Sequence, residues 1–266
     1  MKFAFIGAGK MASALIRGML AKPICSAADI VVSSHGKERL EKLASATGVT
    51  MASDNKQAVS GADIVVLCVK PPDARQIISA LSNDLGGKLL ISIVTGLKLS
   101  KMEELASGDC RCIRVMPNTP VMVGAGASAY SSAKNAQPAD IDIVKTIFGS
   151  LGVIEEVQED QMDAVTALSG SGPAYVYLMI EALTDAGVAT GLTPDLAQKL
   201  AVQTVAGAAE MVLQTGQHPK PLREMVTSPN GTTAAALAVM ESHDFRGLIA
   251  QAVAAAAHRA KELSQE

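Results

Sequence analysis

The sequence predicts an α/β protein, with an N-terminal Rossmann-type doubly wound sheet followed by an all-α dimerisation domain. Three observations carry this expectation. A short apolar run, Lys2-Phe3-Ala4-Phe5-Ile6, ends in Gly7-Ala8-Gly9-Lys10-Met11-Ala12, and Ala14, Leu15, Met19 and Leu20 follow at helical spacing. Apolar runs of strand length then alternate with helical periodicity as far as Val157, as in a sheet covered by helices. From about Gln161 the strand signals stop, and only helical periodicity broken by Gly and Pro continues. Two domains are expected: residues 1–160 to bind a dinucleotide, and residues 161–266 to form the helical dimerisation and substrate part.

Composition narrows the function classes. Of 266 residues, 48% are apolar and 18% charged, which predicts a packed core and argues against disorder. A net charge of −3 without any Lys/Arg cluster argues against a nucleic-acid surface. Aromatics make up 3% and Trp is missing, a composition that favours close helix contacts over ring-lined pockets. Cys25, Cys68, Cys110 and Cys112 lack zinc or disulfide spacing, so reduced structural thiols are expected, and no metal site. The start of the chain lacks the long apolar core of a signal peptide, and no apolar run reaches membrane-spanning length. A soluble cytoplasmic protein is expected.

The first strand, turn and helix have the pattern G-x-G-x-x-A. The first glycine allows the tight turn, the second lets a pyrophosphate approach bare backbone, and a small third residue lets helix and strand come close. The helix N-terminus offers unpaired N–H groups and its positive dipole end to the phosphates. A second strand, Asp29–Ser34, ends where an NADH-binding protein carries an acid for the ribose 2′-hydroxyl. Here Ser33-Ser34-His35-Gly36-Lys37, with Arg39 close behind, offers hydroxyls and cations and no carboxylate. That favours NADPH over NADH.

Val49–Ser53 reads as a short strand and Asp54 as the cap of a helix start. Asp63–Val69 is almost continuously apolar, as expected of a central parallel strand buried on both faces. Lys70-Pro71-Pro72 ends it, because proline lacks the N–H that a ladder needs. This carboxyl end should face the cofactor crevice, where Lys70 is either a phosphate or nicotinamide-side contact or a solvated lysine. Leu89–Val94 and Cys112–Val115 are further strands, followed by Thr95-Gly96 and by the stiff loop Met116-Pro117-Asn118-Thr119-Pro120. Ala127–Tyr130 and Val153–Val157 complete the sheet, with a helix between them over Ile141, Val144, Ile147 and Phe148.

In the helical half, Tyr175, Val176, Leu178, Met179, Ile180 and Leu183 cover nearly the whole circumference of one helix. Such a helix must be buried on all sides, which so short a stretch of chain does not manage alone. Extensive self-association is the expected solution. Two loops, Leu168–Pro173 and Thr227–Thr233, set small residues and N–H groups at helix starts. Either they cap those helices or they bind a carboxylate. Hydride transfer to or from an alcohol needs a positioned acid or base, and His218, His243, His258, Lys199 and Lys220 make poor candidates. A cyclic imine protonated to an iminium, with a carboxylate beside it, needs less help.

Five motifs then fall together: Gly7–Ala12, Cys68-Val69-Lys70-Pro71, Met116–Pro120, Ala167–Tyr175 and Ser228-Pro229-Asn230-Gly231-Thr232-Thr233. In that order and spacing, from first strand to last helix, they closely resemble the pyrroline-5-carboxylate reductase family. The resemblance implies reduction of 1-pyrroline-5-carboxylate to L-proline with NAD(P)H, the final step of proline synthesis. It implies a homodimer interlocked through the C-terminal helices, with dimers often assembled into decamers. NADPH is the implied cofactor, with NADH also usable. Its pyrophosphate would lie on Ile6, Gly7, Ala8, Gly9, Lys10 and Met11, its 2′-phosphate near Ser34, and its adenosine ribose near Asn55. The nicotinamide side would approach Val69, Lys70, Pro71, Pro72, Thr95, Gly96 and Asn118. The substrate carboxylate would be held by Ser228, Asn230, Gly231, Thr232 and Thr233, and Thr233 is the implied catalytic hydroxyl, bonded to the ring nitrogen.

The family commonly has Ser-Pro-Gly-Gly-Thr-Thr, and Asn230 stands here at its first glycine. Asn accepts a left-handed backbone better than other residues with a side chain, so the loop is expected to keep its shape. Two other classes fit less well. A β-hydroxyacid dehydrogenase would want a catalytic lysine on a helix of the second half, and none is well placed. An NADPH sensor without turnover need not keep Thr232-Thr233 and Ser169–Pro173.

Overall fold

The computed structural model describes residues 1–106 and 108–265. Contacts divide the chain into two units, Met1–Ser171 with Ala256–Glu266, and Gly172–Ala255. The division falls later than the expected 160/161 boundary, and the physical reason is local. Strands end near Val157, but the helical turns Met162–Val165 (α7) and Thr166–Gly170 stay folded on the sheet, the second as a π-helical turn. The last turns of the final helix belong to the first unit as well.

The first unit is an eight-stranded sheet in the order β3-β2-β1-β4-β5-β6-β7-β8. Its strands are β1 (Phe3–Ile6), β2 (Ile30–Ser33), β3 (Thr50–Met51), β4 (Ile64–Leu67), β5 (Leu89–Ser92), β6 (Arg111–Met116), β7 (Gly126–Ser132) and β8 (Gly152–Glu156). Every neighbouring pair is parallel except β6–β7, so β7 and β8 run opposite to the other six strands. The segment Pro117–Ala125 between them is too short for the dozen or so residues of a parallel crossover, so the chain turns straight back.

Alternate residues of each central strand feed two separate cores. Phe3, Phe5, Ile64, Val66, Leu89 and Ile91 point to one face, where they meet α1 (Lys10–Ala21), α2 (Lys37–Thr47) and α6 (Pro138–Gly149). Ala4, Ile6, Val65, Leu67 and Leu90 point to the other, against α3 (Asn55–Ser60), α4 (Pro71–Leu81) and α5 (Leu99–Ala106). Burial on both faces explains the unbroken apolar run of β4, all of whose residues are buried. Each such Val, Leu or Ile contributes about 1.5–3 kcal/mol on leaving water. The order reverses at β1 and β4, and that switch point opens a crevice at their carboxyl ends.

The second unit consists of α8 (Gly172–Ala189), α9 (Pro194–Thr215), α10 (Pro219–Met225), α11 (Thr232–Ser242) and the first part of α12 (Phe245–Leu263). Helices α8 and α9 lie against each other, yet Ala197 and Ala201 of α9 are the only buried hydrophobic residues among those described in this unit. No residue of α8 is buried in the single chain, and Tyr177 and Leu178 are more than half exposed. Among the described residues, no helix is long and apolar enough to cross a membrane.

Candidate active site

The turn after β1 is built for close backbone approach. Gly7 has φ 108°, and a Cβ there would run into the carbonyl of Cys68 at the end of β4. The Gly7 N–H is tied to the Ser33 carbonyl of β2 at 2.8 Å, so the ends of three neighbouring strands meet at this glycine. At Gly9, by contrast, an added Cβ would meet nothing within 4 Å. Gly9 precedes the first helical residue, Lys10, without a side-chain cap, and the first turn of α1 carries no acid. Its N–H groups therefore face outward with only the dipole's positive end beside them. Beside the turn lies a cavity of about 510 Å³, lined by Ala8, Gly9 and Lys10 with Arg17, Arg39 and Lys42, and without an acidic residue.

At the end of β2 the Ser33 hydroxyl donates to Asn55 Oδ1 at 2.7 Å. Asp54 sets this up: it caps α3 by accepting from the Gln57 N–H, which with the Ser53 hydroxyl holds its carboxyl below the usual range. Asn55 is thus placed as the first residue of α3, beside the end of β2. The Ser34 hydroxyl accepts from the Gly36 N–H at 3.2 Å, and the Arg39 guanidinium folds back over Gly36, with Nε 3.3 Å from where a Cβ would stand. Ser33 and Arg39 were expected at this strand end, but the Ser33–Asn55 bond and the fold-back of Arg39 carry no signal in the sequence.

On the other side of the switch point, Pro71, Pro72, Thr95 and Gly96 line one cavity of about 400 Å³ together with Arg75, Val94, Leu97 and Leu263. Four of the expected nicotinamide-side residues are thereby brought together; Leu263, from the far end of the chain, is one the sequence reading missed. Lys70 is exposed at the N-cap of α4. Burial pushes the pKa of the Cys68 thiol well above its ordinary value. Asn118 is buried, with its amide taken at both ends: Nδ2 donates to the Ser169 carbonyl at 3.1 Å, and Oδ1 accepts from the Ala127 N–H at 2.9 Å. Its side chain therefore ties the π-helical turn to β7.

The residues expected to hold a carboxylate lie in the second unit, at the start of α11. Asn230 takes the left-handed conformation, φ 58°, and the Gly231 N–H closes the turn on the Ser228 carbonyl at 3.0 Å. Gly231 is the N-cap, again without a side-chain cap, and no acid occupies the first turn. Thr232 and Thr233 open the helix, with Thr233 half-buried and Thr232 exposed. The arrangement offers N–H groups and two hydroxyls to an anion.

Known proteins give this geometry a family. Residues 159–263 match the family model described as pyrroline-5-carboxylate reductase dimerisation, and residues 2–96 match one described as NADP oxidoreductase coenzyme F420-dependent. A pyrroline-5-carboxylate reductase from Glycine max is 47% identical over 98% of this chain and 95% of its own length. The chain belongs to the pyrroline-5-carboxylate reductase family. The family's reductase from Arabidopsis thaliana is 44% identical over 99% of this chain and 96% of its own. A Plasmodium falciparum pyrroline carboxylate reductase solved with NADP bound superimposes with a TM-score of 0.91 at 38% identity, covering 99% of this chain and 98% of that one.

Proposed function

We propose that this family member reduces 1-pyrroline-5-carboxylate to L-proline with NAD(P)H, the last step of proline synthesis, in the cytoplasm. The observation that carries the reading is identity to such reductases along almost the whole chain, at 47% to the Glycine max enzyme. Residues present fit the cofactor. The Gly7–Lys10 turn has the open backbone and acid-free helix start that a pyrophosphate needs, and Ser34 with Arg39 suits a 2′-phosphate. Asn55 is proposed to meet the adenosine ribose, and Val69, Lys70, Pro71, Pro72, Thr95 and Gly96 the nicotinamide side. The bound cofactor supplies the hydride.

The chain's own residues bind and orient. Backbone N–H groups of Gly231, Thr232 and Thr233, with the Ser228 hydroxyl, hold the substrate carboxylate at the dipole's positive end. Thr233 Oγ1 is the hydroxyl proposed to hold the ring nitrogen, fixing the C=N plane. A threonine hydroxyl is a weak acid, so its contribution is orientation, and proximity supplies most of the rate. The exposed apolar helices of Gly172–Ala255 are proposed to pair with those of a second copy in a homodimer, and dimers to assemble into a decamer. NADPH oxidation at 340 nm with DL-pyrroline-5-carboxylate tests the reaction. Turnover supports it; a folded, NADPH-binding protein without turnover refutes it.

A further inference from the structure

The Val94–Leu97 loop is held from both sides by residues to which the reaction assigns no part. On one side, Glu159 Oε1 accepts from the Leu99 N–H that opens α5, at 3.2 Å, and from Arg114 Nη1 at 2.8 Å. Arg114 stands on β6 with its side chain only 3% exposed, and its other terminal nitrogen faces Asp163 Oδ1 at 4.0 Å. Asp163 Oδ1 lies 2.9 Å from Ser264 Oγ, just past the end of α12, and the Ala260 carbonyl is a second acceptor at the same distance. The hydroxyl has one proton for the two, and the carboxylate is the stronger acceptor.

On the other side stands Leu263, immediately before Ser264. Its carbonyl oxygen lies 2.8 Å, and its carbonyl carbon 3.0 Å, from where a Cβ on Gly96 would be. Gly96 is itself at φ 79°, so the loop accepts the carbonyl only because no side chain is there. That carbonyl belongs to the last turn of a helix, which frays unless something outside the helix holds it. Ser264, the next residue, is buried, and its hydroxyl reaches outside the helix to Asp163.

We infer that Ser264 is a positioning residue: its hydroxyl keeps Leu263 seated on Gly96 and so fixes the loop against which the nicotinamide half of the cofactor rests. The inference depends on the proposed placement of the cofactor at Thr95 and Gly96. Its test is Ser264→Ala in the full chain, with affinities for NADPH and for 2′,5′-ADP measured by calorimetry. The second ligand carries the adenosine and phosphate groups and has no nicotinamide to reach the loop. Amide hydrogen exchange at Gly96 and Leu97 is followed in parallel.

The expected result is about three- to tenfold weaker NADPH binding, from the loss of one hydrogen bond, with 2′,5′-ADP unchanged and faster exchange at Gly96 and Leu97. Ser264→Thr, which keeps the hydroxyl, should stay within about twofold of the parent. Equal weakening of both ligands would mean a general loss of structure and would overturn the inference. So would unchanged NADPH affinity with unchanged exchange. A parent chain that binds 2′,5′-ADP as tightly as NADPH would instead overturn the placement of the nicotinamide at this loop.

Discussion

The two units solve the burial problem in opposite ways. Met1–Ser171 encloses both faces of its sheet, with Phe3 and Phe5 under one layer of helices and Ile6 and Leu67 under the other, each at most 1% exposed. In Gly172–Ala255 two alanines are the buried hydrophobic residues, while Leu178, Leu213 and Leu248 are each 60% exposed or more. The first unit has a core of its own. The second leaves many large apolar side chains exposed, and such surface marks a site of association when it is contiguous. What the contrast teaches is that apolar content alone does not tell a core from an interface; the number of faces a single chain covers does.

The sharpest way to break this contrast is to put a charge on α8. Leu178→Arg should leave the first unit folded and the chain monomeric by light scattering, with turnover reduced about 100-fold or more, since an unpaired charge is not tolerated in a desolvated interface. Equal destabilisation of both units in hydrogen exchange would mean that they share one core after all. Next in size is Thr233→Val, expected to cut kcat about 100-fold while NADPH affinity in the first unit is untouched. Unchanged turnover would remove the hydroxyl from the mechanism. Ser34→Glu acts wholly in the first unit: like charge beside a 2′-phosphate should lower the NADPH-to-NADH preference about tenfold or more, read from kcat/KM with each cofactor. The smallest effect belongs to Asn230→Gly, expected to change stability by less than about 1 kcal/mol, because the position is already left-handed. Asn230→Val, which resists that conformation, should cost about 1–2 kcal/mol by thermal melting.

The sequence announced most clearly what repeats. The unbroken run in β4 and the glycine turn after β1 are local patterns with local causes, and both stand where they were expected. The left-handed Asn230 was legible only through the resemblance, because the family commonly has glycine there. Helix α4 was hidden because its first residues, Pro71 and Pro72, read as a stop when proline at a helix start is equally a beginning. The antiparallel β7 depended on a connection length, and the hold of Leu263 on Gly96 on a pairing between distant positions; composition registers neither. The Asn118 amide illustrates the remaining limit. A polar residue in a stiff loop suggests a ligand, and only the fold reveals that its hydrogen bonds go to Ser169 and Ala127.

Helix α12 begins in one unit and ends in the other, and this has a consequence for synthesis on the ribosome. Chains grow from the N-terminus, and N-terminal domains generally fold first. The sheet strands are complete by Glu156, yet the residue seated on Gly96 is Leu263. All of Gly172–Ala255 must be translated before that seat is filled. A nascent chain stalled ahead of Ala256 therefore has every strand of the sheet and an unfinished loop at Gly96, and the cavity that Leu263 lines is among the last parts of the molecule to mature.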